Sequence, residues 1–509
     1  MSKITVILKN NLDLIFFYLF ILSIPLEKRH VFNLKAATWN GHLFEWGAFS
    51  LYLSDILFAL IIIFWLIKAF ISKLQATESQ HPVPHQKIRI KGLLALLFAF
   101  VVVAFLSTIR SDILSISFYH LLKILEGCLL FIYIVKNIST IPSFVKSAVC
   151  IMAAAFFQAV LGITQYLLQR SVGLKIIGEV DLAPSIQNVA KVDVFGTKLI
   201  RAYGTMPHAN LLGGFLFVGL VFTVLFILIL ALNKGIKGNV PRGTFHKEID
   251  ILKMFHVEHF GGKNYLNRKK ILKILIVVCC LLYLGFILSF SRSAYLALLL
   301  SPLIFVPIMF LLEKKFFKQI WQTTKLLWGK YRKICGALIL FIIVVTLAFA
   351  PHIFSKTGIE QAGDYSITSR MWYAKLALAM MRDNPDFGSG PGMYTFQIDR
   401  YISLEEAIEW WQYQPVHNVP LLIGSELGIT CLLLFLVFVG WLVILAFLSS
   451  KRKKDQMSKL LLFASLVSLL GLVIIMQFDH YLWTLQQGSL LFWLIAGMTA
   501  TAATRLRNL

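Results

Sequence analysis

Charge is what this sequence has least of. Only 15% of its 509 residues are charged, whereas 58% are hydrophobic and the mean hydropathy is +0.76. A water-soluble domain of this length does not carry so much apolar surface. Acids are scarcer still: 25 Asp and Glu stand against 49 Lys and Arg, leaving a net charge of +24. That excess invites a nucleic-acid reading. Its distribution excludes one, because the bases sit between apolar runs, where the positive-inside rule accounts for them. Cysteine is rare too. Cys128, Cys150, Cys279, Cys280, Cys335 and Cys431 fall in or beside apolar runs without metal spacing, so neither a disulfide framework nor a zinc site is expected. The first apolar run, Leu12 to Ile24, lacks an A-x-A-like cleavage site and reads as a retained helix. No clear inverted repeat is visible, although many transporters carry one.

What the chain has instead is apolar runs of roughly 18 residues or more, each long enough to cross a bilayer as a helix. An open strand in lipid would leave its backbone unpaired, so these runs must be helical. The expected fold class is an all-α polytopic membrane protein with twelve spans. They lie at about 12–26, 51–71, 92–109, 113–135, 144–168, 209–232, 271–290, 294–312, 334–354, 419–448, 459–478 and 484–504. The chain divides accordingly into spans one to nine (1–354), a long polar segment (355–418) and spans ten to twelve (419–509). Basic clusters at Lys263, Arg268, Lys269 and Lys270, at Lys314, Lys315 and Lys318, and at Lys451 to Lys454 set the orientation. Roughly two-thirds of all Lys and Arg then lie on the cytoplasmic side, together with both termini, and 27–50, 170–207 and 355–418 lie outside. In the cytoplasmic loop 233–270, His256 and His259 are three apart without further ligands. That is a weak metal signal, better read as a solvated basic loop near lipid headgroups.

Four polar places interrupt this pattern. In the fourth span His120, Lys123 and Glu126 recur every three residues and share one helix face, as a locking ion pair or as the polar wall of a substrate cavity. Arg201 to Asn210 occupies the mouth of the sixth span. Ser289-Phe-Ser-Arg292-Ser293 is the whole turn between the seventh and eighth. An arginine at such a tip either snorkels to lipid phosphates or grips a phosphate with its planar fork. The last place is the 355–418 segment. Its residues Ile367 to Met381 read as a helix capped by Ser366 or Thr368, with an apolar side suited to a membrane surface. Asn384-Pro385 stops it, and Gly388 to Gly392 makes a tight, backbone-exposed turn. A second short helix is expected from Leu404 to Trp411. Its Trp410 and Trp411 beside acids can stack on sugar faces or form an interfacial aromatic belt. His417-Asn418 closes the segment. Asn418 can cap the next helix, and His417 is either an interfacial histidine or a general base.

Together these residues resemble the O-antigen ligase and polymerase family of bacterial envelope glycosyltransferases. Arg201-x-x-Gly204-Thr205-x-x-His208-x-Asn210 is similar to the family's R-x-x-G-T-x-x-H-P-N segment, and Ser291-Arg292-Ser293-Ala294 to its S-R-[GS]-A turn. Arg370, the run Asp383 to Gly392, His417-Asn418 and Glu426-x-Gly428-Ile429 follow its long outer loop. The pattern departs where Ala209 replaces the usual proline and Pro207 precedes the histidine, and where Trp372 follows Arg370 by only two residues.

The resemblance implies transfer of a glycan from undecaprenyl diphosphate to an acceptor hydroxyl at the outer face of the cytoplasmic membrane, without metal or other cofactor. It implies that Arg201 and Arg292 stabilise the departing diphosphate and that His417 positions or deprotonates the acceptor. Arg370, Asn418, His208, Asn210, Lys123, Trp410 and Trp411 are the implied substrate-binding residues. Partners are the carrier-linked glycan, a lipid or glycan acceptor and membrane lipid, with no nucleic acid. Lipid ligation, repeat-unit polymerisation and transfer to protein stay open within the family. A polysaccharide flippase is the alternative of another class; it calls for working charges at mid-membrane.

Overall fold

In the computed structural model, the residues described are 3–33, 37–39, 42–75, 84–187, 189–194, 196–235, 268–355, 365–402, 408–453 and 455–506. The histidine pair His256 and His259 lies outside them, as does the first half, 404–407, of the helix expected from Leu404 to Trp411; its second half forms only a 3-10 turn at Trp410–Gln412.

Thirteen long helices carry the described chain: α1 (Lys3–Ser23), α2 (Leu53–Gln75), α3 (Pro84–Ile109), α4 (Leu114–Asn137), α5 (Ile141–Leu168), α6 (Ala209–Gly235), α7 (Arg268–Leu288), α8 (Arg292–Leu312), α9 (Lys314–Ser355), α10 (Tyr365–Asp383), α11 (Val419–Ser450), α12 (Gln456–Ile475) and α13 (Gln486–Thr504). Every one except α10 coincides with an expected span. Among the described residues nine helices are long and apolar enough to cross a membrane, with shorter apolar helices at Asn11–Ser23 and Gly336–Ala350. This is an all-α multi-pass membrane protein.

The bundle is organised around α6, the most buried of the nine candidate spans, which packs against α5, α7, α8 and α12. Small residues let the backbones approach: Gly219 of α6 meets Ala155 of α5, and Gly285 of α7 meets Ala159. On the other side α4 packs on α13 and α3 on α11. Helix α13 is buried along nearly its whole length, which explains how a helix with Thr499, Thr501 and Thr504 stays inside. Their hydroxyls are spent on carbonyls of Ile495, Ile134 and Ala500.

Three small antiparallel hairpins stand at one end of the bundle. They pair β1 (Arg29–Val31) with β4 (Ser50–Tyr52), β2 (Thr38–Trp39) with β3 (His42–Leu43), and β5 (Lys191–Val194) with β6 (Thr197–Ile200). They belong to segments for which no regular structure is expected from the sequence.

The polar segment differs from expectation in two ways. Helix α10 does not lie free on a surface. Its Tyr373, Leu376, Ala377 and Met380 form a separate small core with Tyr394, Ile398, Tyr413, Val416 and Leu422. Each such side chain contributes about 1.5–3 kcal/mol on burial, more than enough to dock the helix. The glycine turn is not exposed either. It plugs into a break in α11, where Gly428 takes φ +84°. Ser389 N and Gly390 N donate to the carbonyls of Ser425 and Glu426 at 3.0 and 2.8 Å, and Ile429 N donates to Pro385 O at 2.7 Å. The break frees backbone groups of α11, and the turn satisfies them.

Candidate functional site

Arg201 begins the site. It precedes α6 in a stretch pinned by Ala202 N donating to Leu288 O (2.9 Å) at the end of α7. That places its guanidinium, only 6% exposed, against the turn between α7 and α8. Nε donates to Ser289 O at 2.7 Å and one terminal nitrogen to Asn210 Oδ1 at 2.5 Å. Asn210 passes the contact on, donating through Nδ2 to Asp479 Oδ2 at 2.8 Å. His208 Nδ1 accepts Asn210 N–H at 3.1 Å.

Arg292 opens α8 directly after this turn, beside fully buried Ser289 and Ser291. It lies close enough that its charge acts on Arg201. Burial, with Arg292, draws the Arg201 guanidinium below the usual arginine value against the pull of Tyr203, Tyr295 and Asp479. Two guanidiniums thus lie within electrostatic reach of one another, where a bound oxyanion would relieve both.

The opposite wall comes from the start of α11. Asn418 caps that helix, its Oδ1 accepting Leu421 N–H at 2.9 Å, as its position suggested. Its amide donates to Gln477 O at 3.1 Å rather than to the imidazole. His417 stacks on Tyr373 of α10 (6.0 Å between centroids) and meets His480 edge-on at 4.9 Å and 87°. Its Nδ1 is buried without a hydrogen bond. Burial, helped by the Arg370 cation, holds His417 below the usual imidazole range, and Asp479 opposes this. Arg370, half-buried on α10, acts on His480 as well.

Asp479 and His480 are the residues that reading the sequence missed. They lie in a ten-residue passage between α12 and α13 that is sunk in the bundle, 4% and 8% exposed. Val419 N donates to Met476 O at 2.8 Å, which ties this passage to the head of α11. The signal available was two titratable residues inside so short a gap.

Three expected residues lie elsewhere. Lys123 pairs with Asp55 of α2 at 2.6 Å, closer than its helix neighbour Glu126 at 3.8 Å, and Gln486 joins both acids. This cluster borders a separate cavity of about 60 Å³, lined by Trp46, Lys123, Thr395, Pro415, Thr484 and Gln486 among others. Trp411 is 39% exposed. Trp410 opens a short 3-10 turn, Trp410–Gln412. Among the described residues no three His, Cys, Asp or Glu side chains form a metal-holding group.

Residues 275–436 match the family model described as O-antigen ligase. Over this stretch the chain is similar to the O-antigen ligase family. The stretch is about a third of the chain and holds Arg292, Arg370 and His417; Arg201, His208, Asn210, Asp479 and His480 lie outside it. The match puts the protein among enzymes of envelope glycan transfer. A search of curated proteins returned no match.

Proposed function

We propose that this protein transfers a glycan from undecaprenyl diphosphate to an acceptor hydroxyl, at the outer face of a bacterial cytoplasmic membrane. Both termini are cytoplasmic in this reading. The observation that carries it is a chain of contacts: Arg201, with Arg292 in electrostatic reach, bonds Asn210, which bonds Asp479, whose neighbour His480 meets His417.

The acceptor oxygen attacks the anomeric carbon as its proton passes to His417. The bond from that carbon to the diphosphate oxygen breaks, and its electron pair goes to the diphosphate. A single displacement inverts the anomeric centre. Charge grows on the leaving diphosphate, so fixed cations in a water-poor hollow act where they lower the barrier most. The arginines take this role without a metal. The flippase alternative calls for working charges at mid-membrane; Lys123 and Glu126 of α4 are instead paired with each other and with Asp55 at the start of α2. Whether the product is a ligated lipid or a longer polymer follows from the acceptor.

The test is transfer from a carrier-linked glycan by purified protein in lipid. Arg292→Ala and His417→Ala each lower the rate about 100- to 1,000-fold with unchanged folding. Arg292→Lys stays well below wild type, because an ammonium offers a point charge and no two-pronged contact. Normal transfer by both alanine variants rejects the assignment.

A further inference from the structure

His480 has no role in the reaction as written, yet it lies among the groups that do. Its ring meets His417 at 4.9 Å, stands edge-on to Trp46 at 5.5 Å, and feels the charges of His208 and Arg370. A buried imidazole there needs a reason, since an apolar ring would pack as well.

Its hydrogen bonds give one. The passage makes a single helical turn, Tyr481–Thr484, directly after His480. Thr484 Oγ1 donates back to His480 O at 3.3 Å, the usual habit of a threonine at i+4. The same oxygen lies 2.7 Å from His480 Nδ1 and engages that nitrogen in a hydrogen bond. Nδ1 is thereby used within the protein, and Nε2 is left to meet a ligand. Among the described residues no hydrogen bond to Nε2 is formed. In the neighbouring ring, His417 Nδ1 is buried without a hydrogen bond. Two imidazoles in contact, each with a nitrogen that no protein group engages among the described residues, mark a place where polar groups of a ligand belong.

We propose that His480 is an acceptor-binding residue: its Nε2 hydrogen-bonds a second hydroxyl of the acceptor while His417 receives the proton of the attacking one, and Thr484 is the positioning residue that holds the ring through Nδ1. The acceptor is then a molecule with two neighbouring hydroxyls, as on a sugar ring. No proton leaves through His480. This rests on the transfer reaction proposed above.

The variants separate the ring from its nitrogens. His480→Phe keeps the ring, His480→Asn keeps a hydrogen-bonding group for Thr484 but nothing at Nε2, and His480→Gln carries an amide near the Nε2 position. Phe and Asn are expected to raise the acceptor KM or lower kcat/KM for acceptor about 100-fold with donor KM unchanged, as when a site built for a hydroxyl loses its partner. Gln recovers at least about 10-fold over Asn. Thr484→Ser behaves as wild type, and Thr484→Val loses about 10-fold, which decides the matter if the His480 variants do not fold. Wild-type acceptor kinetics in Phe or Asn, or equal losses in Asn and Gln, overturn the proposal. So does an unimpaired Thr484→Val variant. His417→Ala is run alongside: if it is inactive while His480→Phe is fully active, only this inference fails, and if it too is active, the reaction itself is wrong.

Discussion

Single residues set one another's proton affinity in this hollow, and that makes them separable by titration. His417 is held low by burial first, then by Arg370, with Asp479 working the other way. A depressed imidazole stays neutral, and so able to take a proton, at pH values under its ordinary pKa of about 6.5. The acid limb of transfer is therefore expected below that value. Arg370→Ala removes a cation that disfavours the charged ring, so the limb moves up in pH. Asp479→Asn removes an anion that favours it, so the limb moves down. The measurement is kcat/KM against pH, and the position of the limb is independent of how much overall rate each variant loses. Opposite displacements, or none, contradict His417 as the proton acceptor. The sequence made Arg201, Arg292 and His417 visible, each placed at the end of an apolar run. It could not show Asp479 and His480, because nothing local distinguishes a sunk passage from an ordinary short loop.

Among the elements, the glycine turn and the break in α11 stand or fall together. Gly388 has φ +63°, and a Cβ there would run into the Glu426 carbonyl. Gly428, φ +84°, has the same relation to Asp386 O. Both positions need left-handed backbone and close approach, which only glycine allows without strain. Gly388→Ala and Gly428→Ala are each expected to cost about 1–3 kcal/mol, measured as earlier thermal unfolding in detergent. The double variant is expected to cost less than the sum, since one failed docking removes the reason for both constraints. Stability equal to wild type in both single variants contradicts the docking. Activity is expected to fall too, since the turn lies between α10, which carries Arg370, and the segment ending in His417. Here the sequence announced a turn but placed it in solvent. Pro385, Gly388 and Gly392 predict bends, whereas the partner of a bend is a tertiary matter.

At the scale of the whole molecule, orientation follows from the basic segments. With a cysteine introduced at exposed Trp411 (Trp411→Cys), an impermeant maleimide is expected to label intact cells; at exposed Arg452 (Arg452→Cys) it should label only after lysis. The background is low, because the described natural cysteines are buried or half-buried. The reverse pattern would put the hollow on the cytoplasmic side and remove the proposed reaction.

Length and hydropathy alone were enough to determine the helices of this protein, because lipid forces every backbone group in a span to pair locally. That constraint is one-dimensional and can be read along the chain. The tertiary structure decided which polar residues meet. Arg201 and Arg292 are 91 positions apart, and His417 and Asp479 lie beyond them, before α11 and in the passage before α13. Their convergence depends on how α6, α7, α11 and the passage before α13 pack. It also sent Lys123 to Asp55 of α2 rather than to the arginines. A buried charge takes the nearest partner that three dimensions supply, and no periodicity along one helix reveals that partner.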